Sequence, residues 1–167
     1  MTEAADQSLS IIQALQDESE AAIEMLRSAM QGCPESLWDL REEERPFWHK
    51  AYHTIYFFDL YMTGSVDSFE APSFHSPDLE KLAEAPPKSL SRAQLEGYLG
   101  RAEQKFRTLF DTLTLENLSR KPRFSRHQTL GAALLDNLRH IQHHVGQMYS
   151  FLRRKTGNAP KWVAGFK

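Results

Sequence analysis

Three histidines fall within five positions of the stretch DNLRHIQHHVGQM, residues 136–148: His140, His143 and His144. A helix advances about 100° per residue, so His140 and His144 lie one turn apart and about 40° around from each other, while His143 is turned about 100° from His144. Two imidazoles at i and i+4 project from one face and can share an ion. The same spacing also arises when a hydrogen-bonded core histidine stands beside an exposed neighbour. A third ligand would separate the two readings, because catalytic zinc sites commonly combine three protein ligands with one open position. His49 and His53 offer that ligand, but they too are one turn apart, and periodicity does not choose between them.

The elements that must position these residues read as helices. Leu130, Leu134, Asn137, Ile141, His144, Met148 and Phe151 are spaced by fours and threes, a core stripe with His144 on it, His140 at its edge and His143 outside. This helix begins near Thr129 and stops at Gly157, ahead of Pro160. A first helix over roughly 6–30 carries Leu9, Ile12, Leu15, Ile23, Leu26 and Met30. A second runs from Pro46, suited to a first helical turn, through FWHKAYHTIYFFDLYM to Gly64. On it Trp48, Ala51, Ile55, Phe58 and Met62 form one side, and His49, His53, Tyr56, Phe57 and Leu60 the other. A helix apolar on both sides is buried on both, by a second helix layer or by a subunit interface, and this motivates a homodimer.

Residues 65–90 contain Pro72, Pro77, Pro86 and Pro87, and read as a long connection with at most a short helix near PDLEKLAEA. Connections of this length usually cover something or cross over a bundle. The next helix opens on a capping box, Ser91 with Gln94, and continues through Leu95, Leu99, Ala102, Phe106, Leu109 and Leu113. No segment alternates with a two-residue period. The expectation is all-α: a single domain over residues 1–167, built as a four-helix bundle with a long crossover loop between its second and third helices.

Composition excludes several classes. A formal net charge of −2 gives no global reason to bind nucleic acid or an anionic membrane, and the basic run Arg120, Lys121, Arg123, Arg126 reads as solvated surface. A single cysteine, Cys33, permits no intrachain disulfide. The acidic start MTEAADQSLSIIQALQDESE lacks the basic and apolar regions of a secretory signal, and no run reaches the ~20 apolar residues that span a bilayer. The expectation is a cytoplasmic protein acting on a small molecule, without nucleic acid or membrane partners.

The segments AYHTIYFFDLYM and LGAALLDNLRHIQHHVGQMYSFLRRKTGNAPKWV resemble the DinB-like family, also described as DinB/YfiT-like metalloenzymes. The resemblance extends loosely over most of the chain, and its specific weight lies in those two segments. It implies a four-helix bundle with three histidine ligands, one on the second helix and two on the fourth, which carry over to His53, His140 and His144. Many members have arginine where this chain has Val145. The resemblance also implies a metal ion and a homodimer; histidine ligands suit zinc, nickel, iron and copper, of which zinc, an inert Lewis acid, and nickel are the first candidates for a divalent ion. Characterised relatives include bacillithiol S-transferases and a mycothiol-dependent maleylpyruvate isomerase. The implied function is therefore a metal-dependent transferase that uses a low-molecular-weight thiol.

Three neutral imidazoles leave the charge of such an ion uncancelled, which favours an acidified water or a thiolate as its further ligand. Hydrolysis, or a structural metal in a dimeric stress-response or binding protein, are the alternatives. Asp136 either accepts the remaining ring hydrogen of His140 and fixes its tautomer or is an exposed acid facing Arg139 or solvent, and Asn137 and Gln147 are candidates for further supporting donors. Gly146 would permit close helix approach, at a cost of about 1 kcal/mol relative to alanine. Tyr52, Tyr56, Asp59 and Tyr149 are candidates for acid, base or binding groups.

Overall fold

The computed structural model describes residues 2–41, 45–63, 67–82, 86–122 and 127–165, with side chains from residue 11 onward. Among them the regular elements are all helices: α1 (Thr2–Gly32), α2 (Glu35–Trp38), α3 (Phe47–Thr63), α4 (Pro77–Glu80), α5 (Arg92–Asp111), α6 (Leu115–Ser119) and α7 (Leu130–Thr156). The long ones, α1, α3, α5 and α7, close a four-helix arrangement. In it α3 packs against both α5 and α7, and α1 against α7 and, more lightly, α5.

Local chemistry sets the helix ends. Ser91 caps α5 through the Gln94 amide, and Gln94 returns its side-chain oxygen to the Ser91 amide, which satisfies two otherwise orphaned donors. Thr129 caps α7 by accepting from the Ala132 amide. Gly157 terminates it with φ +74°, a left-handed conformation that favours glycine. Pro46 sits at the cap of α3, one position ahead of the expected one, where its carbonyl accepts from the His49 and Lys50 amides. A second capping box, Thr114 with Asn117, starts the short α6, which hydrophobic periodicity does not mark because none of its residues is buried.

The apolar character of α3 is accounted for within one chain. Trp48, Ala51, Ile55 and Phe58 are buried, and so are His49, Tyr52 and Tyr56 around the rest of the circumference. Each fully buried large side chain contributes on the order of 1.5–3 kcal/mol. The two-sided α3 therefore needs no second copy to cover it. Two buried polar groups on this helix are partnered: Asp59, 2% exposed, meets Lys105 Nζ at 2.5 Å, and Thr54 Oγ1 donates to the Lys50 carbonyl, whereas His49 Nδ1 is buried without a hydrogen-bond partner among the described residues. The connection between α3 and α5 folds back onto α3 through α4, so it covers the helix that carries His49 and His53. No helix among the described residues is long and apolar enough to cross a membrane.

Gly146 corrects an expectation. A Cβ built there meets nothing within 4 Å, and the residue is exposed, so it serves no close helix contact. Its glycine character is only a helix-propensity cost. Gly146→Ala should raise stability by about 0.5–1 kcal/mol, read as a higher urea midpoint with an unchanged m-value. A loss of stability would show a contact at that position that the fold does not contain.

Candidate metal centre

The α3–α7 contact brings together histidines 87 residues apart. His53 Nε2 lies 3.1 Å from His140 Nε2, and His144 Nε2 lies 3.2 Å from the same atom. One ligand atom from each of the three residues falls within 4.8 Å of the others. A tetrahedral ion with metal–nitrogen bonds of about 2.0–2.1 Å separates its ligand nitrogens by roughly 3.3–3.4 Å. The two spacings to His140 Nε2 are thus close to what one ion would impose. Phe57 holds two of the rings edge-on, with centroids 4.8 Å from His53 and 5.2 Å from His140.

The outer ring atoms fix which nitrogens face inward. His53 Nδ1 lies 2.6 Å from the Glu80 carbonyl, which can only accept, so this nitrogen carries the proton and Nε2 presents a bare lone pair. His144 Nδ1 lies 3.0 Å from Gln147 Oε1 and is assigned the same tautomer. The Gln147 amide nitrogen in turn donates to His143 Nε2 at 3.0 Å. His140 Nδ1 is buried and has no hydrogen-bond partner. Two bare lone pairs therefore face His140 Nε2, and a proton there could serve only one of them. A cation serves all three, so the donor set fits a divalent ion.

Electrostatics keeps these rings neutral. Burial pushes His140 down to about 3, helped by the nearby His144 and His53 and opposed by Asp136. Burial likewise takes His144 down to about 4, against the hydrogen bond to Gln147, with His53, His143 and Lys50 contributing in the same direction as burial. His53 is lowered by burial and partly restored by its bond to the Glu80 carbonyl. Metal binding requires neutral imidazoles, and these rings meet that requirement without outside help.

His49 and His143 are placed apart from the cluster. His49 is fully buried, and its Nε2 meets the Leu79 carbonyl at 3.2 Å. His143 is exposed, as its position outside the core stripe requires. Two histidines of α3 thus hold consecutive carbonyls of α4: His49 on Leu79 and His53 on Glu80. The Glu80 carboxylate is anchored as well, accepting from Tyr56 Oη at 2.9 Å and from His75 Nε2 at 3.2 Å. His75 Nδ1 then accepts from Tyr52 Oη at 2.7 Å, and its ring stacks on Tyr56. This network locks the carbonyl that orients His53. Sequence reasoning reached Tyr52 and Tyr56 but not Glu80 or His75, because a backbone carbonyl carries no residue signature and both residues lie in the connection.

The expected supporting residues divide. Gln147 touches His144 as described. Asp136 makes no hydrogen bond to His140; its Oδ2 accepts from Tyr61 Oη at 3.0 Å and His127 Nε2 at 3.1 Å, and Arg139 approaches Oδ1 at 3.3 Å. Asn137 is buried, and its Oδ1 has no hydrogen-bond partner among the described residues. Tyr149 donates to the Met25 carbonyl on α1, and Cys33 is buried with its thiol pushed up to about 12, so neither belongs to the site. In the basic run, Arg120 pairs with Glu116, while Arg123 and Arg126 lie outside the described residues. A cleft of about 460 Å³ opens over the cluster, walled by His53, His140 and His143, by Phe57 and Tyr61, and by the Asp136–Arg139 pair.

The lowered histidines give a signed pH dependence for the metal-free protein. Their folded-state values lie below the ordinary 6.5, so the unfolded chain binds protons first as the pH drops. Stability should be full above about pH 6.5 and fall steadily toward pH 4. His140→Ala should flatten that slope. Urea midpoints at several pH values test this, and a wild-type midpoint constant over the interval would contradict the burial of neutral rings.

Residues 18–148 match the family model described as the DinB superfamily, a span that contains His53, His140 and His144. No curated protein and no solved structure matches the chain. The match covers well over half of the 167 residues and agrees with the all-helical architecture, so the chain belongs to the DinB superfamily.

Proposed function

We propose that this protein is a divalent-metal-dependent enzyme of the low-molecular-weight-thiol S-transferase type, with His53, His140 and His144 as the metal ligands. One observation carries the reading: three imidazole nitrogens, two of them with bare lone pairs fixed by their outer hydrogen bonds, converge beneath a cleft. Three protein ligands and an open side suit a centre that takes a further ligand from solution. A divalent ion held there supplies Lewis acidity, lowering the pKa of a thiol or water that reaches it. Thiolate is favoured among such ligands because neutral imidazoles leave the charge of the ion uncompensated, and the family resemblance points to thiol chemistry.

The residues of the chain do the rest. Glu80, through its carbonyl, fixes the His53 ring, and Gln147 fixes the His144 ring. Phe57 packs against two of the rings and presents an apolar wall to the cleft. Asp136, hydrogen-bonded to Tyr61 and His127, stands in the same cleft and can take a proton from an incoming nucleophile. That carboxylate also supports a second reading, hydrolysis, in which the nucleophile is water.

Zinc and nickel are the first candidates for the ion. Elemental analysis of untagged protein should find one divalent ion per chain. His53→Ala, His140→Ala and His144→Ala should each lose it, while His143→Ala retains it. His49→Ala should also retain it, at a stability cost of about 1–3 kcal/mol for the stranded carbonyl of Leu79. A folded His49→Ala protein without metal would overturn the ligand set. Cobalt-substituted protein should change its visible spectrum with a low-molecular-weight thiol. Bands indifferent to every thiol would remove the transferase reading and leave hydrolysis.

A further inference from the structure

A second cleft, of about 730 Å³, borders the first, and His143 belongs to the walls of both. Its character is different. The cations that line it come from separate places in the chain: Arg45 just ahead of α3, Lys50 in the first turn of α3, and Arg154 in the last turns of α7. No carboxylate is among the described residues that line it, where Gln147 and Ser150 are the other polar groups.

One cation is buried, and the two arginines, both exposed, are each held by a hydrogen bond. Lys50 is only 5% exposed, with its ammonium 6.0 Å from the Phe151 ring centroid. Arg45 donates from Nε to the Leu82 carbonyl at 2.8 Å, a bond that fixes the guanidinium plane. Arg154 turns back one helical turn to donate to Ser150 Oγ at 2.9 Å, rather than continuing past the end of α7. A guanidinium held in plane presents a fork that matches a carboxylate or phosphate, and a deeply placed ammonium adds charge in a less screened setting.

The cleft also adjoins the metal centre. Gln147, which lines it, holds His144 Nδ1 with one end and His143 Nε2 with the other. A small molecule with its reacting atom at the histidine cluster and an anionic substituent several atoms away would span from one cleft to the other past His143.

We propose that the Arg45–Lys50–Arg154 cleft binds a carboxylate or phosphate group of the substrate or thiol cosubstrate, so that the enzyme selects anionic small molecules. This rests on the metal-centre reading given above, and it adds the class of molecule that the centre acts on. The anionic group and the reacting group would be recognised by different residues, so the two can be tested apart.

The test is an NMR titration of the full-length metal-free protein with inorganic phosphate and, separately, with succinate, at constant ionic strength set by chloride. Saturable shifts are expected at Gln147, Ser150 and their neighbours, and the tighter of the two anions identifies the group. Arg45→Gln and Arg154→Gln should each weaken that binding by roughly tenfold. Both should keep the metal stoichiometry of the wild type. His140→Ala, which removes a proposed metal ligand, should still bind the anion. The assignment is overturned if the shifts do not saturate, if both arginine variants bind as the wild type does, or if His140→Ala abolishes anion binding. Saturable anion binding by a wild-type protein that carries no metal as purified and takes up neither zinc nor nickel when these are added would instead refute the metal centre and support the cleft.

Discussion

His140 Nε2 is held within hydrogen-bonding distance of two other imidazole nitrogens, those of His53 and His144, a constraint that a folded chain does not adopt without compensation. Two of the inward nitrogens are bare because their rings donate outward, to the Glu80 carbonyl and to Gln147. The third ring, His140, has a buried outer nitrogen with no partner. Burial keeps the cluster from relieving the crowding by protonation, since it lowers all three pKa values. As a set of neutral rings this arrangement leaves one inward lone pair without a donor, and a cation would serve all three. The rest of the molecule is arranged to maintain it.

Maintenance falls largely to the connection between α3 and α5. Its short helix α4 supplies the carbonyls that meet His49 and His53, and the Glu80 side chain ties the same turn to Tyr56 and, through His75, to Tyr52. Each of these groups would be costly to bury alone, and together they satisfy one another except at His49 Nδ1, which has no partner among the described residues. The long connection therefore belongs to the site. Removing it would leave His53 with a free Nδ1 and no defined tautomer, and would leave His49 with no acceptor.

Two clefts meet at His143, one above the histidine cluster and one lined by cations. Their walls derive mainly from α3 and α7, the pair that also carries the cluster, so the spacing between them is set by helix packing more than by flexible loops. A site built on helices holds its geometry more closely than one built on loops. The first cleft holds Asp136 together with Arg139, its ion-pair partner, whereas the second holds Arg45, Lys50 and Arg154 and no carboxylate among its described lining residues. That difference suits a molecule with distinct reacting and anionic ends.

Much of this was legible in the sequence. The 3.6-residue period, the Ser91–Gln94 and Thr129 caps and Gly157 located the long helices, because these signals are local and each residue carries its own. The i, i+4 pair His140 and His144, and the outward turn of His143, followed from angles along a single helix. Periodicity alone left His49 and His53 equivalent. What separates them is tertiary: the packing of α3 against α7 turns His53 into the cluster, while His49, one turn earlier, meets the Leu79 carbonyl. Tertiary structure also withdrew Asp136 from His140, because Tyr61 and His127 claim its carboxylate from elements 75 and 9 residues away. Backbone acceptors, and partners distant along the chain, leave no pattern in a linear sequence. Which nitrogen faced which atom was decided only when the helices packed.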